Sequence, residues 1–166
     1  MKMKMKMKIL ITILLLFISI TSYAEDNIDI IIVKKSERVL YAVKDDKVLK
    51  RYNIALGQNP VGHKTKEGDK KTPEGYYFIN GKNSKSKFFL SLHTSYPNFY
   101  DKQVAKKKKL NPGKHITIHG LPTISVLSQY LYDGPDWTDG CIALSNSDMK
   151  ELWNLTEEGT QILIKP

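Results

Sequence analysis

The sequence predicts a mostly β domain with a few short helices, an α+β fold. Short runs of β-branched and aromatic residues recur along the chain, separated by turns rich in glycine, proline, asparagine and lysine. Segments with helical periodicity are few and short, and no internal repeat or low-complexity linker follows residue 24. We therefore expect residues 25–166 to form one domain around a single core.

The first 24 residues have the composition of an export signal. Four lysines precede an uncharged run from Ile9 to Ile20, and Ser22-Tyr23-Ala24 has the small-residue spacing that a signal peptidase reads. The run is shorter than the roughly 20 apolar residues that cross a bilayer. We expect residues 1–24 to be a signal peptide that is cleaved after Ala24, with an uncleaved N-terminal anchor as the alternative.

The remaining chain is mildly basic. The formal charge of +9 includes the four lysines of the signal segment, so the mature protein carries about +5. The lysine run at 105–109 is interpreted as a solvated face, or else as a docking patch for an anionic polymer. An exported chain without a nucleic-acid-reading motif is not expected to bind nucleic acid.

Seven segments have strand composition, and they account for most of the predicted domain. These are 28–33, 39–43, 48–56, 76–80, 87–93, 115–119 and 160–166. Lys44 to Lys47 is a predicted turn, and residues 57–75 are a predicted long ordered loop because they are rich in glycine, proline and lysine. Short helices are predicted within 94–109, at 124–131, and from a Ser145 or Ser147 cap to Asn154.

Cys141 is the only cysteine, so an internal disulfide is impossible and the thiol is either reactive or paired with another molecule. A buried structural cysteine is the simpler alternative. Gly140 lets the backbone turn so that its own amide and that of Cys141 can point at one oxyanion. An imidazole beside a thiol is the usual way to activate cysteine near neutral pH.

The strictly alternating run at 114–120 predicts that His115, Thr117 and His119 share one face of a strand. Gly120 lets the chain turn sharply after His119 and leaves the imidazole at the rim of the strand. His119 is either a hydrogen-bonded structural residue or a catalytic base. A zinc site of His115, His119 and Cys141 competes, but no supporting ligand spacing is present. His63 is interpreted as solvated, and His93 as either structural or functional.

Several ordered motifs resemble the L,D-transpeptidase catalytic domain (YkuD-like) family over about residues 29–166. "IHG" and "TDGCIALSN" resemble its His-Gly and Ser/Thr-His-Gly-Cys-Ile/Val-Arg-x-x-Asn signatures. "ALGQNPVGHKTKEGDKKTPEGYY" resembles its glycine-rich segment, and "FLSLHTSYPN" the segment before its catalytic strand. The resemblance implies a β-sandwich-like domain that needs no metal or other cofactor.

The resemblance also implies the chemistry and its partners. Cys141 would be the nucleophile and His119 the general base, with the Gly140 and Cys141 amides as oxyanion donors. The substrates would be diaminopimelate-type peptidoglycan stem peptides in a Gram-negative periplasm. The thioester would pass to an amine on another stem, giving a 3→3 crosslink, to an envelope lipoprotein, or to water. A monomer is expected.

Substrate-binding or supporting roles are expected for five further residues: Thr138, Asp139, His93, Gly120 and His115. Thr138 would help to place the imidazole, and His93 would border the same cleft. His115 would support the site from the strand of His119, next to Gly120. Asp139 stands where the family more often has histidine.

Ala143 stands where the family signature has arginine, so a cation suited to carboxylates is missing. Together with Asp139, this departure leaves open the choice between crosslinking and hydrolysis. It also leaves open a non-catalytic peptidoglycan-binding domain.

Overall fold

A computed structural model describes residues 27–123, 132 and 136–166. Within them lie eight strands and two short helices, so the prediction of a mostly β, α+β fold is confirmed. The strands are β1 (Ile30–Lys34), β2 (Val39–Lys44), β3 (Lys47–Asn53), β4 (Gly75–Ser86), β5 (Phe89–Thr94), β6 (Thr117–His119), β7 (Ile142–Ala143) and β8 (Gln161–Lys165). The helices are α1 (Phe99–Lys107) and α2 (Asn146–Leu155).

The strands follow the order β3-β2-β1-β8-β4-β5-β6-β7. The long strand β4 joins two halves of this arrangement, because Gly75 to Phe78 pair with β8 whereas Ile79 to Ser86 pair with β5. The apolar residues of both halves and of α2 form one buried cluster. The motifs that contain His119 and Cys141 lie at the far edge, where β6 and β7 run parallel.

Both helices begin at side-chain caps. Asn98 and Asp101 form a capping box at the start of α1. Ser145 caps α2 by accepting a hydrogen bond from the Asp148 amide at 3.1 Å, which confirms the predicted serine cap. Lys106 to Lys109 are exposed at the end of α1, in agreement with a solvated lysine run.

Several predicted boundaries change in the structure. The third strand ends at Asn53 instead of Leu56, and β6 begins at Thr117 instead of His115. Residues 57–74 contain no helix or strand and form the predicted long loop, which we call the flap. The predicted signal peptide at 1–24 and the predicted helix at 124–131 lie outside the described residues. No described helix has the length and apolarity needed to span a membrane.

Candidate active site

Cys141 immediately precedes β7, and its thiol lies between two groups of the β6 segment. The Thr117 Oγ1 and the His115 carbonyl oxygen are each 3.6 Å from the Cys141 Sγ. The parallel register pairs Ile118 with Ile142, which places Thr117 beside Cys141. The thiol is partly exposed and borders a cavity of about 480 Å³. It is therefore both held in place and accessible.

The loop before Cys141 is anchored at its start by an ion pair. Both Nε and Nη2 of Arg38 donate to the Asp136 carboxylate, at 3.1 and 2.7 Å. Asp136 also accepts a hydrogen bond from the Leu56 amide at 2.9 Å. The ion pair joins residues nearly 100 positions apart. Together with the Leu56 contact, it connects the loop before Cys141 to the end of the hairpin where β2 begins and β3 ends.

The Thr138 hydroxyl orders the backbone around Cys141. It accepts a hydrogen bond from the Gly140 amide at 3.1 Å and donates one to the Cys141 carbonyl at 2.7 Å. The expectation that Thr138 places the imidazole is therefore corrected, because both functions of its hydroxyl are used within the loop. The Gly140 amide is likewise engaged and is not free for an oxyanion. No described residue accepts a hydrogen bond from the Cys141 amide.

Glycine is required at position 140 by both conformation and space. Gly140 has a φ of +126°, which L side chains rarely adopt. A Cβ there would lie 2.6 Å from the Lys71 carbonyl oxygen. A Cβ on Gly57 would lie 2.2 Å from the Lys70 carbonyl oxygen. The flap backbone thus passes directly over the loop that precedes Cys141, and both glycines permit that approach.

His119 is buried, with 3% of its surface exposed, beneath aromatic rings. The Phe88 ring lies 4.5 Å from the imidazole and the Trp137 ring 5.7 Å, measured between centroids. The Nδ1 atom is 2.7 Å from the Gly120 carbonyl oxygen. A carbonyl oxygen can only accept, so Nδ1 carries the proton and Nε2 keeps a free lone pair.

Burial lowers the pKa of His119 below its ordinary value of 6.5, although the hydrogen bond to Gly120 works in the opposite direction. The neutral imidazole is therefore favoured near pH 7. His119 is on β6, the strand next to β7, which Cys141 directly precedes. The Cys141 thiol faces Thr117, and His119 is two residues further along β6. The sequence alone did not reveal this aromatic cover, although Trp137 directly precedes the "TDGCIALSN" motif.

Gly120 is needed because of a neighbour and not because of its φ angle. A Cβ on Gly120 would lie 2.5 Å from the Oδ1 of Asn146, the first residue of α2. The same oxygen accepts a hydrogen bond from the Leu121 amide at 2.8 Å. The asparagine that ends the "TDGCIALSN" motif thereby links α2 to the segment after His119. This role of Asn146 is not evident from the sequence alone.

The other three histidines lie in different surroundings, and two of them differ from expectation. His115 has a φ of +61° and precedes β6, so its predicted place on the strand is wrong. Its side chain is exposed and lines the cavity. His93 pairs across the sheet with Thr117, which places both on the same face. His63 is not simply solvated, because its Nδ1 accepts from the Glu74 amide and its Nε2 lies 3.2 Å from Asp101.

The part of the chain that the structure describes contains no group of three or more histidine, cysteine, aspartate or glutamate side chains suited to a metal ion. The competing set of His115, His119 and Cys141 does not form such a group.

The family model for the L,D-transpeptidase catalytic domain (YkuD) matches residues 28–164. The chain belongs to this family. The family acts on peptidoglycan stem peptides. The Escherichia coli K12 protein named "Putative L,D-transpeptidase YafK" is 27% identical over 108 residues, covering 64% of this chain and 36% of that relative. The chain therefore spans little more than a third of this relative's length.

Two solved structures share this fold. The helical cell shape determining protein Pgp2 of Campylobacter jejuni is 27% identical and superimposes with a TM-score of 0.62, covering 86% of this chain and 49% of that one. Bd1075 of Bdellovibrio bacteriovorus is also 27% identical, with a TM-score of 0.57 over 87% of this chain and 50% of its own. This YkuD domain thus corresponds to about half of each solved chain.

The two departures from the family signature have different settings in this domain. Asp139 is exposed and lines the cavity with Cys141. Ala143 is 2% exposed and exchanges two 2.9 Å backbone hydrogen bonds with Ala55. The alanine therefore contributes no cation to the cavity, whose positive charges come from three lysines, Lys64, Lys70 and Lys114.

Proposed function

We propose that this domain, residues 25–166, is a cysteine-dependent L,D-transpeptidase that acts on diaminopimelate-type peptidoglycan stem peptides. Residues 1–24 are its signal peptide, and the mature protein works as a monomer in the periplasm without a cofactor. The observation that carries the proposal is that the cavity-lining thiol of Cys141 directly precedes β7, while the buried imidazole of His119, favoured in its neutral form, lies on the neighbouring strand β6. The Gly120 carbonyl holds that imidazole in the tautomer that a general base requires.

In the first half of the reaction, the Nε2 atom of His119 takes the proton of the Cys141 thiol. The sulfur attacks the carbonyl carbon on the L-centre of diaminopimelate and forms a C–S bond. The Cys141 amide, which has no acceptor among the described residues, donates to the oxyanion. His119 returns the proton to the amine of the terminal D-alanine as the C–N bond breaks, which leaves a thioester on Cys141.

In the second half, an amine on another stem or on an envelope lipoprotein attacks the thioester. His119 accepts the proton of the incoming amine. It returns this proton to the sulfur as the C–S bond breaks, which restores the Cys141 thiol. Transfer to water would instead give a shortened stem, which is the hydrolytic alternative. The exposed thiol and the open cavity admit either acceptor.

The test uses purified diaminopimelate-containing tetrapeptide muropeptides and the mature protein. We expect release of D-alanine together with 3→3 dimers or amine-exchanged products, separated by liquid chromatography and mass spectrometry. Tripeptides as the sole product would identify a carboxypeptidase. The absence of any product, together with no carbapenem adduct on the protein, would instead support a peptidoglycan-binding domain.

Substitution of the nucleophile provides the decisive comparison. Cys141→Ala and Cys141→Ser should each reduce turnover by at least about 10³-fold. The unfolding midpoint should change little, because neither substitution opens a large cavity. His119→Ala should also remove most activity, and Asp139→His should alter the rate or the acceptor preference. Undiminished turnover by the Cys141→Ala protein would exclude the thioester mechanism.

A further inference from the structure

Five charged side chains line the cavity beside Cys141, and three of them already have partners. The Lys64 ammonium lies 2.7 Å from the Asp69 carboxylate and also donates to the Lys66 carbonyl. The Lys70 ammonium donates to the Gln58 side-chain oxygen at 2.7 Å. The Glu67 carboxylate accepts from the Asn111 side chain at 2.7 Å. These three groups hold the cavity wall together.

The remaining two charged groups are Asp139 and Lys114, and they have opposite signs. Neither has a hydrogen-bond or ion-pair partner among the residues that the structure describes, and they do not pair with each other. Both flank the nucleophile. Asp139 is two residues before Cys141, and Lys114 directly precedes His115, whose carbonyl contacts the Cys141 Sγ at 3.6 Å.

An unpaired carboxylate and an unpaired ammonium in one cavity favour a ligand that carries both charges. A ligand with only negative charge would be repelled by Asp139, and one with only positive charge would be repelled by Lys114. The cavity volume of about 480 Å³ is within the range of small-molecule sites and exceeds the size of one amino-acid end group.

We propose that Asp139 and Lys114 form a subsite for a zwitterionic amino-acid head group, meaning an ammonium and a carboxylate on the same carbon. Asp139 binds the ammonium and Lys114 binds the carboxylate. The inference rests on the proposed function, because it takes the cavity to be the stem-peptide site. The free end of a diamino dicarboxylic acid residue in the stem supplies this head group. Lys114 thereby provides a contact with the carboxylate that Ala143 cannot make.

The experiment compares three tetrapeptide substrates that differ only at this head group. The first has the free ammonium and carboxylate, the second an acetylated amine, and the third an amidated carboxylate. Wild-type protein should lose about tenfold in kcat/KM for each blocked peptide, mainly through KM, as expected for one lost charge-assisted contact. Asp139→Asn should no longer discriminate against the acetylated peptide, and Lys114→Gln should no longer discriminate against the amidated one.

Each variant is compared with itself across the three peptides, so a general effect on the nucleophile cancels. Lys70→Gln is the matched control, because Lys70 lines the same cavity but is already bound to Gln58. It should keep both preferences. If both head-group variants discriminate as the wild type does, the subsite is disproved while the transpeptidase proposal stands.

A binding measurement separates the two proposals if no turnover occurs. Isothermal titration calorimetry of the same three peptides with the Cys141→Ala protein should show the same order of affinities. The same order without turnover by the wild type would retain the subsite and refute the proposed activity. Equal affinities for all three peptides would overturn the subsite.

Discussion

The state of one imidazole controls the proposed chemistry. His119 is neutral near pH 7 because Phe88 and Trp137 exclude water from it, while the Gly120 carbonyl sets its tautomer. A base with a lowered pKa remains unprotonated in mildly acidic solution. The same shift also affects folding, because the unfolded chain binds a proton to His119 at a higher pH than the folded chain does. The free energy of unfolding should therefore decrease as the pH falls below about 6.5, because protonation of His119 favours the unfolded chain.

The pH dependence of turnover provides a test at the scale of one residue. The acidic limb of the kcat/KM profile should have an apparent pKa below 6.5, because burial lowers the pKa of His119. Trp137→Ala should admit water and move that limb upward, towards 6.5. Trp153→Ala is the control, since the other tryptophan is on α2 and stacks with Lys82. An acidic limb that does not move in the Trp137→Ala protein would contradict this explanation.

At the scale of elements, the flap depends on one carboxylate. Asp69 accepts hydrogen bonds from the backbone amides of Thr65, Lys66 and Lys71 and pairs with Lys64. Burial alone would raise the pKa of Asp69, but the Lys64 ammonium and these amides outweigh it and lower the pKa to about 2. The flap therefore keeps its shape without a helix or strand, and it can form one wall of the cavity.

Neutralising that carboxylate should weaken the fold in a pH-dependent way. Asp69→Asn should reduce the free energy of unfolding by about 2 kcal/mol at pH 7, since the pKa falls from 3.8 to about 2 on folding. The contribution is present above the unfolded pKa and is lost as the pH falls towards 2, so the two proteins should converge there. Urea unfolding across this range measures it. Asp46→Asn, at an exposed turn, should change little, and an equal loss there would refute the interpretation.

At the scale of the whole molecule, the C-terminal strand connects the β1–β3 strands to β4. β8 pairs in parallel with β1 on one side and antiparallel with β4 on the other. Its alternate residues Ile162 and Ile164 are buried in the single hydrophobic cluster. Because β4 continues from β8 to the β5–β6 edge, the position of the active site depends on a strand distant from it in sequence.

Truncation of a buried β8 side chain should therefore destabilise the entire domain. Ile162→Ala should reduce the free energy of unfolding by about 2–4 kcal/mol, because it leaves a cavity in the core. Leu163→Ala is the matched control, since that side chain is only half-buried on the other face, and it should cost less. Urea denaturation monitored by tryptophan fluorescence compares them. Equal losses in the two variants would show that β8 does not pack as described.

Local patterns determined much of this protein. Alternating and β-branched runs predicted the strands, because the period of two places one face of each strand in the core. Ser145 predicted the start of α2, since a hydroxyl before an apolar stripe satisfies free helical amides. The residues around Cys141 and His119 predicted the family that the YkuD match then showed. The strand and cap signals are local, because each lies within or next to the element that it predicts.

Contacts between distant segments decided the rest. His115 leaves the alternating pattern because it adopts a left-handed conformation at the edge of β6. Gly120 is explained by the approach of Asn146, and Gly140 by the Lys71 carbonyl above it. The Thr138 hydroxyl accepts a hydrogen bond from the Gly140 amide, which the sequence had predicted to be an oxyanion donor. Spacing along the chain does not encode which backbone passes over which, so only the tertiary structure could decide these roles.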